Sequence, residues 1–310
     1  MSGSRKATVI ASLLLAASLA ACVFSLRQID QVRSTATLQE VLFVSSPRMV
    51  KRMSLGYDGL LADIYWTRAV QYFGGHHAAG ARRFDLLAPL LEITTALDPH
   101  LVVAYQFGAN FLSPKPPNGA GMPQAAEQLI LYGIKNNPED WKLYYELGFV
   151  YYMEMKDYSR AADAFLRGSQ VPNAHPFMKV IAAQMAQHAG DTQMARALWT
   201  TTYQTTQDKQ IRGNAIAHLR ALEVSEAVDA LQEVVAQYGR RTGVLPRSMH
   251  DLVAAGLLRA IPNDPTGRPY VLGHDGRVLV QVPDDIPFLE KGVPPGYEPP
   301  QPKNLDELGK

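Results

Sequence analysis

Apolar residues recur three and four positions apart over most of this chain, which places them on one face of an α-helix. The pattern runs from Leu55 to the Gly74–Gly75 pair and resumes from Phe84 to Leu97. Proline and glycine breaks then separate further pairs of helical segments, at residues 99–138, 138–172 and 177–206. The sequence therefore predicts a mainly α protein made of antiparallel helix pairs joined by short turns.

The pair between Pro138 and Pro172 has the most regular spacing of small and large apolar residues. Its members are Trp141, Leu147, Gly148, Tyr151, Ala161, Phe165 and Gly168. The unit resembles a tetratricopeptide repeat (TPR), which has Leu-Gly in its first helix and Ala-x3-Phe in its second. The preceding pair matches in part, through Phe107-Gly108 and the Ala126, Ile130, Gly133 spacing. The resemblance implies a TPR-like α-solenoid across residues 54–225.

The resemblance also implies a partner-binding groove along the first helices of the repeats. If Gly148 stands at the family's glycine, the groove residues are Lys142, Tyr145, Phe149 and Tyr152, and in the preceding unit Tyr105, Ala109 and Leu112. Such an aromatic surface suits an apolar or extended peptide. The alternative is that neighbouring helices or the C-terminal part of the chain cover these rings.

The N-terminal segment has the length and composition of a membrane anchor. Residues 7–26 carry no charge, with Arg5-Lys6 before them and Arg27 after. The stretch is long enough to cross a bilayer with its N-terminus in the cytoplasm, and a secretory signal has similar features. Leu19-Ala20-Ala21-Cys22 resembles the bacterial lipobox, which makes Cys22 a lipidation candidate. We expect a single-pass inner-membrane protein with a periplasmic domain, or alternatively an envelope lipoprotein; a cytoplasmic protein is the third option.

The C-terminal third predicts a small module that differs from the preceding helix pairs. Residues 214–223 and 226–238 predict one more helix pair, and residues 249–258 a short helix. Residues 270–272 and 278–280 flank a Gly-His-Asp-Gly turn and predict a β-hairpin. Asp264, Pro265, Gly267, Pro269 and Tyr270 form a string that resembles a short module of pseudopilin-like proteins. We expect an anchor or signal at 1–30, a juxtamembrane segment at 31–53, a small module at 226–283 and a disordered proline-rich tail at 284–310.

The composition and the absence of common motifs limit which ligands and catalytic sites we expect. The formal net charge is +1 and Cys22 is the single cysteine, so the chain offers neither a strong field for nucleic acid nor an intramolecular disulfide. The sequence contains none of the common nucleophile, phosphate-binding or zinc-protease motifs. His76, His77 and His100 could in principle supply metal ligands, but adjacent loop residues diverge and no Asp or Glu stands at a supporting spacing, so we expect a solvated loop at residues 75–80 and no metal site.

These features favour a scaffold that has no cofactor and no catalytic activity of its own. It would bind protein partners in the bacterial envelope, in secretion, pilus or envelope assembly. The alternative is an envelope enzyme or cofactor handler, with a site between the helices and the C-terminal module that contains His250, Asp251 and Asp264. A third possibility is a structural subunit whose aromatic groove is permanently filled by another chain.

Overall fold

The computed structural model describes residues 46–299 and isolated positions between residues 15 and 28. The described chain is mainly α-helical, as the sequence predicts, and divides into two compact units at Val150 and Tyr151. Most of the predicted membrane segment, including Cys22, lies outside the described residues. None of the helices in the described part is long and apolar enough to cross a membrane.

The first unit is a sequence of helices in which neighbours along the chain pack together. They are α1 (Pro47–Met53), α2 (Asp58–Ala78), α3 (Leu87–Leu97), α4 (Val102–Leu112), α5 (Pro123–Asn136) and α6 (Trp141–Phe149). Helix α3 packs against α1, α2 and α4, and α4 packs against α5 and α6. Pro89 lies in the first turn of α3, where its missing N–H is not needed for a helical hydrogen bond.

Helix α2 is longer than the sequence predicts. The Gly74–Gly75 pair does not end it, and the expected loop at 75–80 is wrong because the helix continues to Ala78. Each glycine costs a helix only about 1 kcal/mol relative to alanine. Ring contacts one turn apart, Tyr72 with His76 and Phe73 with His77, bridge the glycines and favour the longer helix.

Two glycines allow the helices of the first unit to approach closely. A Cβ built on Gly108 would lie 2.8 Å from a methyl carbon of Leu129, and one on Gly133 would lie 2.8 Å from the ring of Tyr105. No larger residue fits either position without displacing its neighbour. The predicted small–large spacing in the 99–138 pair therefore corresponds to real packing between α4 and α5.

Helix α6 is followed by a π-helical segment, Val150–Met155. A π-helical turn accommodates one more residue than an α-helical turn, and such segments are frequent at functional sites. Asp140 caps the start of α6 through the Lys142 N–H, and Asp157 caps the next helix through the Arg160 N–H. The residues that carry the TPR resemblance on both sides of this segment, from Leu147 to Gly168, are buried.

The second unit contains four consecutively packed helices followed by a small module. The helices are α7 (Tyr158–Ser169), α8 (Phe177–His188), α9 (Thr192–Thr205) and α10 (Lys209–Thr242), and α11 (Met249–Ala254) belongs to the module. Helix α10 is continuous, so the predicted pair at 214–223 and 226–238 is wrong. No glycine or proline lies between Glu223 and Glu226, and Val224 and Val228 continue the buried face of the same helix.

The predicted β-hairpin is confirmed. Strand β1 (Val271–Leu272) pairs antiparallel with β2 (Val278–Leu279), and Gly273 and Gly276 shape the turn between them. The hairpin packs on the C-terminal half of α10 around a common core. The buried members of that core are Val224, Val228, Leu231, Val235, Met249, Leu252, Tyr270, Val278, Val280 and Ile286.

The first part of the expected disordered tail is ordered. A 3-10 turn at Pro283–Asp285 precedes Ile286, whose side chain is buried in the module core. The Val280 N–H donates to the Gly292 carbonyl at 2.8 Å, and Lys291 pairs with Asp229 of α10. Residues 286–292 therefore form a strap on α10. The expectation of disorder from residue 284 is wrong for this segment because it carries an apolar anchor among its prolines.

Candidate partner-binding surface

Three of the predicted groove residues are core residues instead. Tyr105, Ala109 and Leu112 are fully buried, so their expected exposure is wrong. The Tyr105 ring packs on Gly133 and its hydroxyl donates to the Pro99 carbonyl at 3.0 Å. Burial raises the pKa of this phenol far above its ordinary value. The alignment placed these residues on the wrong side because α4 turns the spacing 105, 109, 112 toward α5.

Other rings occupy the outer side of α2 and α4. Phe107 is 52% exposed, and Phe111 is half-buried beside it at 6.2 Å between ring centroids. From α2, Phe73 stacks on Phe111 at 4.1 Å and Trp66 lies parallel to the same ring at 6.2 Å. These contacts align α2 with α4 and leave a partly exposed apolar surface along both.

Helix α6 lies beside α4 and carries two further rings. Tyr145 and Phe149 lie one turn apart, with centroids separated by 4.7 Å, and both are half-buried. The Asn110 amide on α4 donates to the Glu146 carboxylate on α6 at 3.2 Å, so the outer sides of the two helices lie next to each other. Burial raises the pKa of Glu146, and the Asn110 hydrogen bond opposes that shift. We use the term aromatic face for this surface, which consists of Trp66, Phe73, Phe107, Phe111, Tyr145 and Phe149.

The other two predicted groove residues, Lys142 and Tyr152, are not part of the aromatic face. Lys142 is exposed on the first turn of α6, on the side of the helix that carries Tyr145 and Glu146. Tyr152 belongs to the second unit, where its ring contacts Tyr158 at 5.9 Å and lies near the Lys156 ammonium. Of the seven predicted residues, Lys142, Tyr145 and Phe149 therefore share the outer side of α6.

The sequence does contain a signal for the rings that the prediction missed. In α4, Ala104, Tyr105, Gly108, Ala109 and Leu112 form one apolar stripe at helical spacing, which is the buried side. The opposite side carries the polar residues Gln106 and Asn110 next to Phe107. A phenylalanine flanked by amide side chains on that side marks solvent exposure, which the alignment to a repeat pattern obscured.

The second unit contains a different aromatic arrangement, which we call the histidine stack. His218 of α10 lies between the Trp199 ring at 4.1 Å and the Phe288 ring at 4.0 Å, and all three planes are nearly parallel. Its Nδ1 is 3.0 Å from the Gln187 amide oxygen. Within the described residues, His218 Nε2, Trp199 Nε1 and Asn214 Oδ1 are buried without a hydrogen-bond partner. Burial lowers the pKa of His218 to about 4, and the nearby His188 acts in the same direction.

Two of the three residues of the enzyme hypothesis have structural roles. Asp251 forms a capping box with Ser248 at the start of α11. Asp264 accepts hydrogen bonds from the backbone N–H groups of Thr266 and Arg268 in a turn, and His250 is exposed. Among the residues that the structure describes, no group of three or more His, Cys, Asp or Glu is arranged to hold a metal ion.

Each unit also contains a surface cavity. In the first, a cavity of about 710 Å³ lies where α1, α3 and α5 meet, with Arg48 and Lys51 beside the apolar side chains of Leu91, Leu129 and Tyr132. In the second, a cavity of about 660 Å³ lies between the ends of α7 to α10, and its lining includes three threonines together with His175 and Phe177. Ser169, His175 and Asp208 also line the second cavity, and each forms a hydrogen bond with a backbone group.

The comparisons with known proteins add no relative from which a function could be transferred. No protein-family model matches this chain, and no curated protein is detectably similar to it.

Proposed function

We propose that this chain is a non-catalytic TPR-like scaffold, tethered to the bacterial envelope, that binds an apolar or extended segment of a partner protein on the aromatic face. The observation that carries the proposal is the set of partly exposed rings on the outer sides of α2, α4 and α6. Large aromatic side chains account for most of the energy in many protein interfaces. The tether is the predicted N-terminal segment, as a single membrane span or through lipidated Cys22.

The packing beneath the aromatic face supports this assignment. Tyr105, Gly108 and Gly133 fix α4 against its neighbours, so the outer rings stand on a rigid base. A preorganised surface loses little conformational entropy on binding, which favours affinity. The tether adds a second advantage, since it raises the local concentration of partners at the membrane. A secretion, pilus or envelope-assembly machine is the setting that these properties suit.

Photo-crosslinking in intact cells tests the proposal. A photoreactive phenylalanine analogue in place of Phe107 should yield a discrete crosslinked product with another protein, which mass spectrometry would identify. The matched control carries the analogue in place of Lys135, an exposed residue of α5 on the same unit. Identical products from both positions, or no product from position 107, would contradict the proposal.

Two further measurements distinguish an adaptor from a permanent structural subunit, and a lipoprotein from a transmembrane anchor. A crosslinked product that forms in full yield, with no free chain remaining, would indicate a permanent structural subunit in place of an adaptor. Incorporation of labelled palmitate that is lost in the Cys22→Ser variant would identify a lipoprotein. Retention in membranes without palmitate would identify a transmembrane anchor.

A further inference from the structure

The N-terminal end of the first unit exposes apolar side chains that the partner-binding proposal does not use. Helices α1 and α2 meet at a tight turn, which we call the elbow, comprising residues 47–64. Its exposed apolar residues are Met49, Met53, Leu55, Tyr57, Leu60 and Ile64. Tyr57, which immediately precedes α2, and Leu60 and Ile64 on the helix lie opposite the buried Ala62 and form one stripe. Helix α2 is thus apolar both toward the core and, over its first two turns, toward the outside.

The turn itself presents an apolar tip. Leu55 has a φ of +51°, a backbone conformation that residues with a side chain rarely adopt, and it is 86% exposed. The neighbouring Gly56 also has a positive φ. Ser54 is buried and ties the turn together, because its hydroxyl donates to the Lys51 carbonyl at 2.7 Å and also bonds to Asp58. A strained position is expected to persist where it serves a function.

The charges around this tip are those of a membrane-surface element. Helix α1 carries Arg48, Lys51 and Arg52 and no acidic residue, and all three basic side chains are exposed. The first turns of α2 carry two carboxylates, Asp58 and Asp63, so the three basic residues of α1 leave the elbow with a net charge of +1. Exposed Met, Leu and Tyr beside Lys and Arg are the composition of segments that lie in the interface of anionic bilayers.

The position of the elbow in the chain also favours contact with the membrane. About 19 residues separate the predicted membrane segment at 7–26 from Ser46, and a chain of that length reaches at most about 65 Å when fully extended. The elbow is the first described element after this connection, so it adjoins the tether and lies within its reach of the bilayer.

We infer that the elbow docks on the surface of the membrane, with Leu55, Tyr57 and Leu60 inserted at the level of the headgroups and the basic side chains of α1 on anionic lipid phosphates. The inference rests on the proposed tether and adds a second point of attachment. Two points of attachment would fix the orientation of α2, and therefore of the aromatic face, relative to the membrane.

The test uses the full-length chain in lipid nanodiscs, with Leu60 replaced by an environment-sensitive fluorescent amino acid so that Cys22 stays intact. In discs that contain phosphatidylglycerol, we expect a blue-shifted emission that brominated lipids quench. The matched control carries the probe in place of Glu139, an exposed residue in the connection to α6, and should show neither effect. The variant with Arg48→Gln, Lys51→Gln and Arg52→Gln should lose roughly half or more of the quenching at position 60.

The outcomes separate the docking from the tether. If the chain remains with the discs but the probe at position 60 is unshifted, the elbow inference is wrong and the tether stands. If the chain does not remain with the discs, both fail. A blue shift that brominated lipids do not quench would mean that protein, including a second copy of the chain, covers the elbow. Equal quenching in discs of phosphatidylcholine alone would refute the role of the basic residues.

Discussion

The aromatic face of the first unit and the histidine stack of the second unit both consist of aromatic rings, but the two differ in how the rings and their polar neighbours are packed. Around Phe107 the rings are partly exposed, and their polar neighbours Asn110 and Glu146 pair with each other. Around His218 the rings are sandwiched and polar atoms are buried without partners. Aromatic content alone therefore does not identify a binding surface. What distinguishes the two is whether the rings complete a core or cover one that is already complete.

The largest effect should come from removing the fully buried member of the histidine stack. Trp199→Ala leaves a large cavity beside His218, and we expect it to lower the free energy of unfolding by about 3–5 kcal/mol. Urea denaturation of the detergent-solubilised chain, followed by circular dichroism, measures the change. If the loss is below about 1 kcal/mol, the stack contributes little to the core and the contrast between the two regions disappears.

The pH dependence of stability should report on His218. Its folded pKa is near 4, below the value of about 6.5 in an unfolded chain, so the unfolded state takes up the proton first. The stabilisation is complete above pH 6.5 and declines as the pH falls toward 4, by on the order of 2–3 kcal/mol. His188 and Glu290 also face this region, with His188 Nδ1 at 3.6 Å from the Glu290 carboxylate.

The comparison variant for that measurement is His218→Phe, which keeps a ring between Trp199 and Phe288 but cannot titrate. Its unfolding free energy should vary less between pH 7 and pH 4 than that of the wild-type chain. His274→Gln, a change at an exposed histidine in the hairpin turn, should leave the profile unaltered. Parallel profiles for wild type and His218→Phe would show that other groups control the pH response.

A smaller effect should follow from crowding the base of the aromatic face. In Gly133→Ala the new methyl group would lie 2.8 Å from the Tyr105 ring, and we expect overpacking to cost about 1–3 kcal/mol. Gly74→Ala is the matched control, because nothing lies within 4 Å of its Cβ position, and it should stabilise the helix by up to about 1 kcal/mol. Tolerance of Gly133→Ala would mean that Tyr105 can move outward, as the groove prediction required.

The smallest change in stability should come from the aromatic face itself. Phe107 is half exposed, so we expect Phe107→Ala to alter the unfolding free energy by less than about 1 kcal/mol. Capture of the partner, measured by pull-down from membranes, should nevertheless fall sharply, and adding Tyr145→Ala should reduce it further. A large loss of stability in Phe107→Ala would assign this ring to the core and remove the basis of the proposed function.

The sequence predicted the helices and strands more accurately than it predicted which side of each helix is buried. Helical periodicity and the Gly-His-Asp-Gly turn identified the helix pairs up to residue 206 and the β-hairpin correctly, because those signals are local. Tyr105 was placed in the groove because a repeat pattern was aligned by one glycine, and a shift of two positions along α4 exchanges Tyr105 for Phe107. The histidine stack was not predicted at all, since Trp199, His218 and Phe288 are brought together by packing between segments far apart in the chain.

Helix α10 has a consequence for how the second unit can be divided. Its 34 residues span about 50 Å at the α-helical rise per residue. The N-terminal half of the helix supplies His218, and the C-terminal half supplies Val228, Leu231 and Val235 to the module core. A chain cut at the predicted boundary after residue 225 would end in mid-helix and leave Val224 without its core partners. The module is therefore not a transferable cassette, and we expect it to fold and unfold together with the helices that precede it.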